Sequence, residues 1–427
     1  MKVAFFILYQ LARASLFIIK VGKKIITLCR PSQRATLFTR PSHMQTTKTI
    51  WFHTDAEGEV IALHDIINRL NTHKNIRIIL SATSGRSERF ALNTIANVLF
   101  FPFGYDSLFA SFTALRSLRP DVLIFNANRL HPNLIFLARL FSCKVYGLNT
   151  QLAPQEKKKL EQHNRFTAWY YAQIYQFFDH FFSQDKDLIT HLAPYSPHTV
   201  LANSKVATAW QKRISSQKRP AYTPSRIVLL AGSMHHNEID HYLSLITALR
   251  KEGHSAHLMI APRYLNDQVS LEEILDTSDL SYCIINDLSL ENIDTNIATA
   301  IATYDICVIH QMGVLFELCR YADIFYLGAT FNPIGGHNVI EPAIWHCPII
   351  TGPTLCPTNN QEAYTLEERG GLKRVRNDEE LIFETLALLG NHAHRKEMGQ
   401  HNAAWIEEQR VVFENGFSQF LSRIESL

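Results

Sequence analysis

The segment richest in chemistry is Asn332-Pro333-Ile334-Gly335-Gly336-His337-Asn338-Val339-Ile340-Glu341-Pro342. It follows an apolar run at 324–327 and opens a short apolar helical stretch. Two adjacent glycines let a backbone approach a ligand closely. The helix start beyond them offers N–H groups and a positive dipole end to a phosphate. Glu341 falls in the first helical turn, placed to accept from a pair of sugar hydroxyls. The plainer alternative is a carboxylate complementing the helix dipole. Three more loops share this logic. Residues 227–230 run into Ala231-Gly232-Ser233-Met234-His235, where the Ser233 hydroxyl and N–H can meet a phosphate. Residues 257–260 lead to Ala261-Pro262-Arg263, an arginine just past a strand end, suited to a bidentate phosphate contact. Taken alone, such an arginine is more commonly half of a surface salt bridge. Gln311-Met312-Gly313 precedes a helical pattern at 314–321. Four such loops in one half of the chain suggest a nucleotide mono- or diphosphate donor site.

The first half offers the complementary chemistry. Trp51-Phe52-His53-Thr54-Asp55-Ala56-Glu57-Gly58-Glu59-Val60 reads as strand, glycine loop and helix start, with three carboxylates in five residues. A carboxylate there can act as general base on an acceptor hydroxyl. Acids that merely stabilise a helix start are the even alternative.

These loops need a scaffold of strands alternating with helices. Candidate strands lie at 50–53, 76–81, 98–100, 122–125, 145–148 and 180–183, then again at 227–230, 257–260, 283–285, 306–309, 324–327 and 348–350. Val60, Leu63, Ile66, Ile67 and Leu70 recur at helical spacing between the first two. Residues 210–226 are polar and rich in Lys, Ser and Pro, a linker composition. The last pattern, 398–424, is helical. The expected fold is α/β, two Rossmann-like domains with a ligand cleft at the C-terminal ends of the strands.

The 427 residues are 46% hydrophobic and 19% charged, enough for two or three packed cores and too apolar for a disordered chain. The net charge of +3 hides an asymmetry. Nine of the 42 Lys and Arg precede the first acid, Asp55, which leaves 33 against 39 acids, a balance of −6, in the rest. Residues 3–21 are nearly all apolar, long enough for a membrane helix, yet Arg13 interrupts them. The segment is therefore a marginal span or a helix lying in the interface. No small-residue cleavage site follows, which argues against a signal peptide. Lys20, Lys23, Lys24, Arg30, Arg34 and Arg40 come next, hold this flank on the cytoplasmic side and attract anionic membrane lipids. Such an anchor explains the basic charge without a nucleic-acid partner. Seven cysteines without a C-x-x-C read as core residues in a reducing compartment. His235-His236 is the only adjacent histidine pair and no H-E-x-x-H occurs, so no metal site is expected.

In this order, the motifs resemble the 3-deoxy-D-manno-octulosonic acid (Kdo) transferases. The family's W-[IF]-H-x-x-S-x-G-E-V stands as Trp51 to Val60, and its G-[GT]-x-x-P-x-G-G-H-N-x-x-E-P as Gly328 to Pro342. Gly232-Ser233-Met234-His235, Ala261-Pro262-Arg263 and Met312-Gly313 match further elements, and Met312-Gly313-Val314-Leu315 looks most like chlamydial members. The resemblance runs from about residue 49 to the C-terminus. It implies a glycosyltransferase-B fold. Residues 1–30 would be a membrane-anchor helix, 49–208 the acceptor domain, 209–225 a linker and 226–400 the donor domain. Residues 401–427 would form a helix packing back across the domains. It implies CMP-Kdo as donor and a lipid A precursor as acceptor. It further implies an inverting, metal-free and cofactor-free transfer in lipopolysaccharide synthesis at the cytoplasmic face of the inner membrane, held by a single N-terminal anchor. Glu59 matches the family's base. Ser233, His235, Arg263, Met312, Gly313, Gly335, Gly336, Asn338 and Glu341 fall in donor-binding elements. His53 and Lys205 fall on the acceptor or supporting side, Lys205 through Ala202-Asn203-Ser204-Lys205, where the family's first residue is glycine.

Two segments depart from the pattern. An acidic E-x-E-x-W-P-N reads Asn126-Ala127-Asn128-Arg129-Leu130-His131-Pro132-Asn133, with Arg129 reversing a charge. N-[AG]-[RK]-L-S reads Asn149-Thr150-Gln151-Leu152-Ala153. These departures keep two alternatives open: a divergent glycosyltransferase-B with another nucleotide-sugar donor, and a catalytically silent, membrane-bound paralogue.

Overall fold

Among the described residues, fourteen short strands, apolar and rich in β-branched and aromatic residues, build two fully parallel sheets. Their central strands are buried on both faces, which is why they read as continuous apolar runs rather than alternating ones. The structure is a computed structural model. It describes residues 48–54, 57–73, 75–82, 95, 97–101, 103, 106–126, 131–150, 169, 172–185, 188–190, 194–216, 226–265, 268–336, 338–356 and 361–427. The anchor segment at 1–30, Arg129, Gln151 and most of the linker expected at 209–225 lie outside them. Among the described residues, no helix is long and apolar enough to cross a membrane. The chain divides into two units, one comprising residues up to Thr208 with Val412–Leu427, the other Ala209–Val411.

In the first unit the strands are β1 (Lys48–Thr54), β2 (Ile76–Ala82), β3 (Leu99–Phe100), β4 (Val122–Asn126), β5 (Lys144–Leu148), β6 (His180–Ser183) and β7 (His198–Val200). The sheet order is β3-β2-β1-β4-β5-β6-β7. Strand order reverses between β1 and β4, and such a reversal opens a crevice at the carboxyl ends of the strands. Helix α1 (Glu57–Asn71) follows β1 and buries Val60, Leu63, Ile66, Ile67 and Leu70 completely, the stripe that the spacing predicts. Helix α2 (Leu108–Leu118) starts at Ser107, whose hydroxyl accepts from the Ala110 N–H, and stops at Arg119 in a left-handed conformation. Helix α3 (Pro132–Leu140) has proline in its first turn. Helix α4 (Ser204–Ser215) begins in this unit and runs past Thr208 into the second.

In the second unit the strands are β8 (Ile227–Met234), β9 (Ala256–Pro262), β10 (Tyr282–Ile285), β11 (Ile306–Ile309), β12 (Ile324–Leu327), β13 (Ile349–Thr351) and β14 (Leu372–Arg374), in the order β10-β11-β9-β8-β12-β13-β14. The helices are α5 (Ile239–Lys251), α6 (Gln268–Asp276), α7 (Ile293–Thr303), α8 (Leu315–Leu318), α9 (Ile340–Ile344), α10 (Gln361–Glu368), α11 (Asp378–Gly390) and α12 (His392–Glu425). The reversal here falls between β8 and β12.

Several expectations need correction. Residues 209–215 are the second half of α4, not linker, and continue a helix whose buried residues are Val206, Ala207, Thr208 and Ala209. The pattern at 314–321 yields only the single turn α8. The final helix begins at His392, earlier than the pattern at 398, since its first turn is exposed and polar. Its last turns, 412–427, belong to the first unit, where Phe413, Phe417, Phe420 and Ile424 enter the core around β1 and α1. Arg69 of α1 clamps this return. It pairs with Asp65 and Glu414 and lies over the Phe413 and Phe417 rings.

Candidate functional site

The sequence-selected residues that the structure describes lie at strand carboxyl ends or in the segments that follow them. In the first unit His53 and Glu59 go with the end of β1, supported by residues from the adjacent β2, β4 and β5, while Lys205 follows the edge strand β7. Glu59 stands in the first turn of α1, half-buried. Thr54, the last residue of β1, donates its hydroxyl to Glu59 Oε2 at 2.7 Å. Asn126, the last residue of β4, donates its amide to the Glu59 carbonyl at 3.0 Å. Asn149, at φ +50°, donates to Asn126 Oδ1 at 2.8 Å, and Ser204 donates its hydroxyl to Asn149 Oδ1 at 2.9 Å. The Glu59 backbone and the start of α4 are thus joined by a continuous polar ladder. Lys205, next along α4, is half-buried, and its ammonium has no ion pair among the described residues. The hydrogen bond from Thr54 favours the charged carboxylate, the form a general base needs.

His53 is not an acceptor contact but an internal support. It is 2% exposed, with Nδ1 2.8 Å from the Ser81 hydroxyl and Nε2 3.1 Å from His131 Nε2. Trp51 Nε1 donates to the same Ser81 oxygen at 2.7 Å. Two facing Nε2 atoms need one N–H and one lone pair, so the pair holds a single proton between them. His131 occupies the aromatic position of the departed acidic segment and fills it with a polar partner for His53.

In the second unit the donor candidates follow four strands that are neighbours in the sheet, β11, β9, β8 and β12. Ser233 sits at φ +58° in an irregularity of β8, and Arg263 N–H donates to Met234 O at 2.8 Å, tying the ends of β8 and β9 together. Arg263 Nε is buried with no hydrogen-bond partner among the described residues. A buried guanidinium N–H facing no acceptor suits an anionic ligand. His235 is buried, its ring edge-on to Tyr264 at 5.3 Å. Met312 is exposed and Gly313 has φ +86° with open space around its Cα. Their loop is pinned by the Gln311 side chain, which accepts from Leu288 N–H and donates to Leu288 O.

The glycine segment works differently from the sequence expectation. Gly335 and Gly336 have φ of +87° and +78°, and both N–H groups donate to Ala329 O, at 2.7 and 2.8 Å. A Cβ on Gly335 would collide with the Cys356 amide nitrogen, and one on Gly336 would stand 2.7 Å from Leu327 Cδ2. Tight packing of the turn requires these glycines before any ligand arrives. The start of α9 is also occupied, because Asn338 Oδ1 accepts the Ile340 N–H at 3.0 Å. With α9 and α8 only five and four residues long, neither is the dipole-bearing helix that the sequence suggests. Glu341 is half-buried in α9, and His337 lies outside the described residues.

Glu238 escapes sequence reasoning. Its carboxylate is 1% exposed and accepts four backbone N–H groups, from His235, Ala329, Thr330 and Phe331. The available signal is local, an acid three residues past His235 before an apolar helix, the spacing of a capping box. Three of its partners lie more than ninety residues away in sequence.

A family model described as 3-Deoxy-D-manno-octulosonic-acid transferase (kdotransferase) matches residues 30–207. A protein of Chlamydia trachomatis serovar D named 3-deoxy-D-manno-octulosonic acid transferase is 22% identical over 393 residues, covering 88% of this chain and 86% of its own. The chain is similar to Kdo transferases over most of its length. An Aquifex aeolicus protein of the same name is 29% identical over 161 residues, 38% of this chain and 41% of its own. For the fold, a solved glycosyltransferase from Rickettsia africae ESF-5 matches at a TM-score of 0.53 and 10% identity, covering 89% of this chain and 98% of that one. Two parallel-sheet α/β units of the glycosyltransferase-B type are therefore shared with it.

Proposed function

We propose that this protein transfers Kdo from CMP-Kdo to a lipid A precursor, with inversion and without a metal, at the cytoplasmic face of the inner membrane. The observation that carries the mechanism is Glu59 at the β1–β4 reversal, held by Thr54 and Asn126. Its carboxylate takes the proton from an acceptor hydroxyl as that oxygen attacks the anomeric carbon of Kdo. The bond to the CMP phosphate oxygen breaks, and CMP leaves carrying the electron pair. Arg263 meets that charge with its buried Nε and the rest of its guanidinium. Ser233, His235, Met312, Gly313, Asn338 and Glu341 line the strand ends that receive the donor, and Lys205 supports the acceptor side. The basic apolar segment at 1–30 keeps the enzyme beside its lipid substrate.

The test is incubation of the full chain with CMP-Kdo and lipid A precursor in detergent, with product masses measured. The expected result is mass added in Kdo steps, lost in Glu59→Gln. Unchanged turnover in Glu59→Gln removes the base assignment. Preference for a UDP or GDP sugar over CMP-Kdo overturns the donor, and CMP binding with no turnover leaves a silent protein.

A further inference from the structure

Three consecutive backbone N–H groups converging on one point form a nest, a device that proteins use to bind phosphates and other anions. The loop after β12 has this shape, with Ala329 at φ +61°, and it stands where a donor phosphate is expected. The protein fills it with its own anion. Glu238 Oε1 accepts from Thr330 and Phe331 N–H at 2.9 Å each, and Oε2 accepts from Ala329 N–H at 2.6 Å and His235 N–H at 3.1 Å. Glu238 forms no salt bridge among the described residues. A buried carboxylate of this kind rests on backbone dipoles alone, so its contacts must stay intact.

The consequences run along the chain. Ala329, gripped by Glu238, accepts both N–H groups of Gly335 and Gly336. Cys356 N–H donates to Gly335 O at 2.9 Å, and Thr354 N–H to Thr330 O at 3.0 Å. Thr330 Oγ1 accepts the Gly352 N–H at 2.8 Å and donates to Leu327 O at 2.6 Å. The turn that carries Gly335, Gly336, Asn338 and Glu341 is therefore built outward from residues 329–331. The fourth bond, from His235 N–H, ties the same carboxylate to the loop that carries Ser233 and His235. Gly328 packs its Cα so close to the β8 end that a Cβ would stand 2.6 Å from Met234 N.

We infer that Glu238 is a positioning residue for the donor: an internal anion that occupies the phosphate-like nest and fixes two donor loops at one spacing. This rests on the donor reading above. The nest is thus unavailable to the donor's phosphate, whose charge falls to Arg263 and the β8 end. Glutamine has one acceptor oxygen in place of two. In either orientation its NH₂ points at one of the two N–H pairs, so half of the clamp is lost while the volume is kept.

The test compares the full chain with Glu238→Gln, Glu238→Asp and Glu238→Ala. Hydrogen exchange followed by mass spectrometry reads the clamp without any substrate. The amides of 329–336 are expected to lose protection in Glu238→Gln while those of β8 and β9 keep theirs. Kinetics read the consequence: KM for CMP-Kdo rises about tenfold or more, with acceptor KM and kcat per folded molecule held within about twofold. Formate, a free carboxylate, restores the donor KM of Glu238→Ala but not of Glu238→Gln, whose amide still fills the space. If Glu238→Gln and Glu238→Ala do not fold, Glu238→Asp carries the same test, since its shorter arm cannot reach both loops. Unchanged loop protection, or a lower Tm with an unchanged donor KM, overturns the positioning role. A wild-type chain that ignores CMP-Kdo while Glu238→Gln still loosens residues 329–336 refutes the donor reading and spares the clamp.

Discussion

Replacing Gly335 by alanine separates two reasons for a glycine. One is close approach of a ligand, and the other is the packing of the turn itself. Both Gly335 and Gly313 have positive φ, +87° and +86°. Both substitutions therefore meet the backbone cost of a left-handed L-residue, about 1–2 kcal/mol. They differ in space. Nothing lies within 4 Å of a Cβ on Gly313, whereas a Cβ on Gly335 overlaps the Cys356 amide nitrogen and stands 2.9 Å from Cys356 Cβ. Relieving that overlap moves backbone against backbone and lengthens the 2.9 Å bond from Cys356 N–H to Gly335 O. Overpacking of this kind adds about 1–3 kcal/mol. The expected losses are about 3 kcal/mol for Gly335→Ala and about 1 kcal/mol for Gly313→Ala. In a unit of roughly 200 residues each kcal/mol lowers Tm by about 2–4 °C. Thermal unfolding without any ligand should thus fall about 6–12 °C in the first variant and about 2–4 °C in the second. Equal shifts would refute the packing account and return Gly335 to the role of a ligand contact.

Thr54→Val removes the hydroxyl bonded to Glu59. A bond that favours the charged carboxylate is lost, so the acid limb of the pH–rate profile should move to higher pH, and Thr54→Ser should move it back. Arg69→Met leaves Asp65, 4% exposed and already pushed up by burial against the pull of Arg69, without its cation. Urea unfolding of the first unit should lose about 3 kcal/mol or more. Burial holds His257 down at about 4 and, with Arg423 and His198, His180 at about 4. Below an ordinary value near 6.5 the unfolded chain takes protons that the fold refuses. Their stabilisation is complete above that pH and is lost as pH falls toward 4, so Tm measured against pH should drop across this window and drop less in His257→Gln.

The central strands were legible because burial on both faces writes an unbroken apolar run. Two of the four edge strands were not. His198–Val200 and Leu372–Arg374 are three residues each and partly exposed, the second also charged, as edges tend to be, and their run is too short to show a period. Glu59 was visible because a helix start after a strand is a local pattern, but its partners Asn126 and Asn149 meet it through the sheet. Glu238 went unread because its bonds to 329–331 cross more than ninety residues, which no local spacing records. The glycine turn looked like an open cradle because its contact with Cys356 comes from a later segment. His53 looked available until its partners Ser81 and His131 were in place.

The return of α12 to the first unit has a consequence for biosynthesis. Phe413, Phe417, Phe420 and Ile424 complete the core around Ile50, Phe52 and Leu63, yet they leave the ribosome only after the whole of the second unit. At roughly 5–20 residues per second, the roughly 200 residues of the second unit take on the order of 10–40 seconds to synthesise. For that interval the nascent first unit shows an uncovered apolar face, a natural station for a chaperone and a point where early termination yields an insoluble product.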